Sequence, residues 1–144
     1  MKLVRTGSAS WQGSTKDGKG AISTQSGALE SYPYGFTSRF DGVAGTNPEE
    51  LLGAAHAGCF TMAFTLRLGH DRLVATRIET TAEVTLESTD SGYSITAVHL
   101  RMSAVVPGAD KATFDRLATD AKETCPLSKL MNARITLEAE LLDI

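Results

Sequence analysis

The stretch from Leu51 to Leu68 limits what this chain can fold into more than any other part of it. Asn47-Pro48-Glu49-Glu50 introduces it as a helix start: Asn47 can cap, Pro48 suits the first helical position, and Glu50 completes a pair resembling a capping box. The residues that follow are Leu, Ala, Phe, Met, Gly and Cys, interrupted by His56, Thr61, Thr65 and Arg67. A helix that is apolar nearly all round must be buried on every side. A chain of 144 residues makes a single domain with a real core, 1–144, but struggles to wrap such a helix alone. Burial by a second copy of the chain is therefore expected.

Short strand candidates precede this helix. Leu3 to Gly13 alternates loosely and carries the sole tryptophan, Trp11, and Lys16-Asp17-Gly18-Lys19-Gly20 reads as a hairpin turn. Ala21 to Ser26 and Tyr34 to Phe40 are two further strand candidates. After the helix, Val74–Ser88 and Tyr93–Val106 are long β-rich runs joined through Ser88-Thr89-Asp90-Ser91-Gly92. Asp110–Thr124 is an amphipathic helix with Phe114, Leu117, Ala118 and Ala121 on one face. Pro126 breaks it just after Cys125, a short turn follows over Leu127–Asn132, and Ala133–Leu142 closes the chain as a strand. The expected architecture is α+β, a curved antiparallel sheet wrapped on a central buried helix.

Composition excludes several functions. The net charge is −3 and the 14 Lys and Arg residues are scattered, whereas nucleic-acid and anionic-membrane surfaces need clustered positive charge. The N-terminus turns polar too early for a signal peptide, and no apolar run is read as long enough to span a membrane, so a cytoplasmic protein is expected. Cytosolic thiols stay reduced, so the two cysteines read as catalytic, redox-active or simply buried rather than as a permanent disulfide. They show no metal-ligand spacing.

Cys59 lies inside the apolar helix, where a thiol is an ordinary core residue and inert unless a cation stabilises its thiolate. Cys125 falls at a helix end beside Pro126, where it can face a cleft or merely close the helix. Arg39 is an exposed strand charge or the missing cation, and Glu49 is a first-turn carboxylate or the partner that locks Arg39 in a two-pronged pair. His56, three residues before Cys59, is a packing residue or a base. His70 and His99 carry no constellation. Together these elements fit a peroxide-reactive thiol, which needs a lowered pKa, an apolar pocket and a second thiol to trap the sulfenic acid. On a straight helix Glu49 and Cys59 stand roughly 15 Å apart, so a bend, the long Arg39 side chain or a partner subunit must bridge them.

Two segments also resemble a known family. Tyr34-Gly35-Phe36-Thr37-Ser38-Arg39-Phe40, with Gly45 through Phe60, is similar to the osmotically inducible protein C (OsmC) family and its organic hydroperoxide resistance relatives. Ala121-Lys122-Glu123-Thr124-Cys125-Pro126-Leu127-Ser128-Lys129 resembles the family's second cysteine motif, and His56 with Ser128-Lys129 resembles the OsmC branch. The resemblance covers essentially the whole chain. It implies an intertwined homodimer with interfacial sites, Cys59 as peroxidatic and Cys125 as resolving cysteine, and Arg39 and Glu49 as the pair that readies the thiolate. It further implies reduction of organic hydroperoxides, with hydrogen peroxide a poorer substrate, in oxidative and osmotic stress defence. A dithiol reductant such as a lipoyl protein closes the cycle, and no metal, flavin or haem is implied.

In that cycle the Cys59 thiolate attacks the distal peroxide oxygen, and Cys125 condenses with the sulfenic acid to a disulfide that the dithiol reduces. Phe36, Phe40, Phe60 and Met62 are candidates for the substrate pocket. The rival expectations are a redox-sensing or ligand-binding module, for which the chain has no output element, and a structural dimer with two inert buried cysteines.

Overall fold

A computed structural model describes all residues, 1–144. The chain divides into two compact units, Met1–Leu51 and Leu52–Ile144.

The first unit is a three-stranded antiparallel sheet followed by a short helix. Strands β1 (Gly7–Gln12), β2 (Lys19–Thr24) and β3 (Tyr32–Tyr34) pair in that order. Trp11 and Tyr34 meet edge to face, 5.5 Å between centroids. The expected strand over Tyr34–Phe40 ends at Tyr34, and Phe36–Phe40 forms helix α1 instead. Ser38 explains the difference. Its buried hydroxyl accepts from the Gly35 amide at 2.8 Å and lies 2.9 Å from the Thr46 carbonyl, local bonds that compete with a strand ladder. Arg39 therefore stands on a helical turn rather than a strand. The chain returns through Gly45, whose φ of +135° and a Cβ position only 3.0 Å from the Pro33 carbonyl oxygen exclude a side chain.

Helix α2 (Pro48–His70) begins where the sequence places it. The Asn47 Oδ1 accepts from the Glu50 amide at 2.8 Å, while the Glu50 carboxylate turns to the Thr46 hydroxyl at 2.6 Å. With 23 residues and a mean hydropathy of 1.2 over 18 of them, α2 does reach the length and composition of a membrane-crossing helix, contrary to the sequence reading. Ala carries that average along with Leu, Phe, Met and Cys. A core helix meets the same measure, and here Gly53, His56, Phe60, Phe64 and Leu68 form one buried stripe. One chain covers only that stripe: Met62 is 74% and Leu66 59% exposed on the other side.

The second unit packs that stripe against a three-stranded sheet of β4 (Arg77–Thr89), β5 (Gly92–Val105) and β6 (Arg134–Leu142). β4 and β5 form the expected antiparallel hairpin, with a register shift at Thr85/Leu86. β6, however, runs parallel to β5, so the sheet is mixed rather than antiparallel. The cause is connectivity: β5 and β6 are joined by a crossover through helices α3 (Lys111–Thr124) and α4 (Pro126–Leu130), which brings the chain back to the same end. Val98, Leu100, Met102 and Ala104 alternate inward along β5 and meet Phe60, Phe64 and Leu68 of α2 and Phe114, Leu117, Ala118 and Ala121 of α3. Phe64 stacks on Phe60 at 6.5 Å and meets Phe114 edge-on at 5.4 Å. Gly53 lets α2 approach β4, since a Cβ there would lie 3.1 Å from the Ala82 carbonyl oxygen.

Candidate functional site

Within the second unit, the two cysteines meet. Cys59 sits one residue before the buried Phe60 on α2, half-buried, and Cys125 is completely buried. Their sulfurs are 3.0 Å apart, in hydrogen-bond contact, and both are free thiols. A disulfide needs about 2.05 Å, so a small movement closes the bond.

Cys125 reaches this place because of Pro126. Proline disfavours helical backbone in the preceding residue, and Cys125 takes φ −55° and ψ 128°, an elbow that ends α3 and starts α4. Its amide still closes α3 on the Ala121 carbonyl at 2.9 Å, while its own carbonyl accepts from the Lys129 amide at 3.1 Å. The elbow is tied to α2 on both sides. His56 Nε2 and Ser128 Oγ are 2.9 Å apart, and Arg67 Nη2 donates to Thr124 Oγ1 at 3.0 Å.

Burial pushes the Cys59 thiol above its ordinary pKa, and its hydrogen-bonded contact with the Cys125 thiol pushes it the same way. The backbone amide of Leu127, in the first turn of α4, is what pulls it back. Residues of this kind hold the thiol form, so nucleophilic use of Cys59 requires a positive charge. His56 does not supply one: its ring is wholly buried and burial lowers its pKa, which keeps it neutral. Its Nδ1 has no hydrogen-bond partner, which favours the tautomer with the proton on Nε2, donated to Ser128. No three His, Cys, Asp or Glu side chains converge as a metal site.

Within the first unit, Arg39 and Glu49 do form the two-pronged pair. Nη2 donates to Oε1 at 2.5 Å, and Nε lies 3.1 and 3.3 Å from Oε1 and Oε2. The Arg39 guanidinium also lies over the Phe40 ring at 5.4 Å, and Phe40 packs on Phe36 at 4.8 Å. Trp11, Tyr34, Phe36, Arg39, Phe40 and Pro48 line a cavity of about 240 Å³, an apolar recess with one cation in its wall. Phe36 and Phe40 thus line a cavity of the first unit, whose wall includes neither cysteine. Phe60 instead belongs to the core, and Met62 stands on the exposed face of α2.

The family resemblance marks Ser128 together with His56 but not their contact, and sequence reasoning missed Arg67, Thr124 and the Leu127 amide. Only the nearness of Thr124 and Leu127 to Cys125 in sequence could have marked them. His99, set aside earlier, bonds Thr136 at 2.7 Å and faces Glu138 at 3.6 Å on the outer sheet surface.

The fold is α+β with two three-stranded sheets, and its two free thiols lie in contact. The chain belongs to the OsmC-like protein family, whose model matches residues 40–140. It is 49% identical to peroxiredoxin OsmC of Escherichia coli over 141 residues, 98% of this chain and 99% of that protein. It is 33% identical to the organic hydroperoxide resistance protein of Xanthomonas axonopodis pv. citri over 101 residues, 69% of each chain. Among solved structures, an OsmC-like protein from Mycoplasma pneumoniae superposes with a TM-score of 0.78 over 99% of this chain and 100% of that one; at 11% identity this likeness concerns the fold alone.

Proposed function

We propose that this protein is a thiol peroxidase of the cytoplasm that reduces organic hydroperoxides, and hydrogen peroxide less well, in oxidative and osmotic stress defence. The observation that carries the reading is the contact between two free thiols, Cys59 and Cys125, at 3.0 Å. The names of its relatives, a peroxiredoxin and an organic hydroperoxide resistance protein, support the same chemistry.

Cys59 is the peroxidatic residue. Its thiolate attacks the distal peroxide oxygen, the O–O bond breaks, the alcohol leaves with a proton, and Cys59 becomes a sulfenic acid. Cys125 then condenses with it, and a dithiol such as a lipoyl group reduces the disulfide through a mixed disulfide. Arg39 is the cation that lowers the Cys59 pKa and polarises the peroxide, and Glu49 holds its guanidinium in one orientation. The aromatic recess around Arg39 suits an alkyl or aryl hydroperoxide better than hydrogen peroxide.

The working form is a homodimer, residues 1–144 of each copy acting as one domain. The open apolar face of α2, with Met62 and Leu66, supports this, because such a surface is covered by a partner in water.

Steady-state turnover tests the reading. With a recycling dithiol, cumene hydroperoxide should be consumed catalytically by the wild type and not by Cys59→Ser. A protein that reacts once and stops, or thiols inert until unfolding, would contradict it.

A further inference from the structure

The Cys125 elbow is fastened to the helix of Cys59 at two points, one on each side of the resolving thiol. Ser128, three residues after Cys125, meets His56 at 2.9 Å, and Thr124, the residue before it, accepts from Arg67 at 3.0 Å. Both anchors lie on α2, three residues before and eight after Cys59. The first contact lies in an apolar setting, with His56 fully buried, whereas the second, between half-buried Arg67 and exposed Thr124, is at the surface. Thr124 also donates to the Asp120 carbonyl at 2.7 Å, so its hydroxyl is oriented to accept from Arg67.

This arrangement does more than a core requires. Pro126 removes one amide from the α3–α4 junction, and α4 has only five residues, so the elbow has little helical stiffness of its own. Apolar packing of Cys125 and Leu127 would tolerate sliding by a fraction of an ångström, whereas hydrogen bonds fix direction and distance.

Resting on the peroxidase reading above, we infer that His56 and Arg67, through Ser128 and Thr124, are positioning residues that hold the resolving thiol within reach of the Cys59 sulfenic acid. They act on the second step alone. In that step the Cys125 sulfur attacks the Cys59 sulfur, the S–S bond forms and the Cys59 S–O bond breaks. The sulfenic oxygen leaves as water with its own proton and that of the Cys125 thiol. Nothing is oxidised beyond what the hydroperoxide has already done. Held contact makes this condensation effectively unimolecular at high local concentration. A loosened elbow leaves the sulfenic acid exposed to outside nucleophiles and to a second peroxide.

The test is a competition in the full-length protein between Cys125 and dimedone for the sulfenic acid, after one equivalent of cumene hydroperoxide. Variants are Ser128→Ala, Thr124→Val and the double substitution, with His56→Gln, whose side-chain amide can still donate to Ser128, as the conservative control. The expected result is that dimedone capture rises about tenfold in the double variant and partially in each single one, while the rate of Cys59 oxidation stays within about twofold of wild type. His56→Gln should behave more like wild type than Ser128→Ala does. Capture unchanged in the folded single variants, or a slowing of both steps together, would overturn the inference. A wild type that forms no Cys59–Cys125 disulfide would overturn the peroxidase reading instead.

Discussion

The Cys59 and Cys125 sulfurs share a hydrogen bond across 3.0 Å, although the two residues are 66 positions apart, one within α2 and the other at the elbow between α3 and α4. This contact orders the two sulfurs. Cys125 is sealed in the core, while Cys59 remains partly accessible, so a reagent from solvent meets Cys59 first. The roles should therefore separate by substitution. Cys59→Ser should leave Cys125 unreactive toward hydroperoxide in the folded protein. Cys125→Ser should still consume one equivalent, and excess peroxide should carry its Cys59 on to sulfinic acid. Intact mass reads both. Equal reactivity of the two single-cysteine proteins would show that burial does not set the order.

The pair of Arg39 and Glu49 leads to a second expectation. Arg39→Met should lower the rate of Cys59 oxidation on the order of 100-fold, as removal of an electrostatic stabiliser does. Glu49→Gln, which keeps the shape and loses the charge-assisted bond, should cost about tenfold, equivalent to about 1.4 kcal/mol. Arg39→Lys should not restore the wild-type rate, because an ammonium cannot make the two-pronged bond. Stopped-flow peroxide consumption decides; a Lys variant at full rate would leave only the charge, not the geometry, in the account.

The pH dependence follows from the same groups. Burial and then Cys125 raise the Cys59 thiol above its ordinary value of 9.0, with the Leu127 amide opposing. Thiolate formation is thus disfavoured by these neighbours, and a cation must work against them. Alkylation of Cys59 by iodoacetamide should show a higher midpoint in Arg39→Met than in wild type. An unchanged midpoint would remove Arg39 from the activation of the thiol.

His56 gives a stability signature. Burial alone lowers its pKa, so the folded protein binds this proton less readily than the unfolded chain, whose value is near 6.5. Its contribution is fully present above the unfolded value and is lost as pH falls through it toward the depressed folded value. The urea midpoint of wild type should fall between pH 7 and pH 5, and His56→Gln should flatten that decline. Parallel curves for the two proteins would count against a buried neutral histidine.

The core itself makes a simpler prediction. Phe64 is fully buried between Phe60 and Phe114, and Phe64→Ala should cost about 3–5 kcal/mol in unfolding free energy. A loss under about 1 kcal/mol would mean that α2 does not pack on the sheet as described.

Much of this architecture could be read from local rules. Asn47-Pro48 starts α2 where capping chemistry puts it, Pro126 breaks the chain beside Cys125, and β4 and β5 pair across the turn at Asp90-Ser91. Two features escaped because competing interactions are not local. Helix α1 replaces a strand through bonds from Ser38 to Gly35 and Thr46, and β6 is parallel because the intervening helices carry the chain back across the sheet. The site divides the same way. Residue type and the family resemblance single out Cys59, Cys125, Arg39 and Glu49, and the structure brings Cys59 to Cys125 and Arg39 to Glu49. His56 with Ser128 is different: these residues are 72 positions apart, and nothing in the spacing announces a contact that only the elbow at Cys125 creates.

The central claim is that Cys59 and Cys125 form one redox pair. Anaerobic single-turnover oxidation by stoichiometric cumene hydroperoxide tests it most directly, read by free-thiol count and intact mass. The account predicts rapid loss of both thiols, the mass decrease of a disulfide, and a peptide linking Cys59 to Cys125. Thiols that persist under those conditions, or a disulfide formed only between subunits, would contradict it.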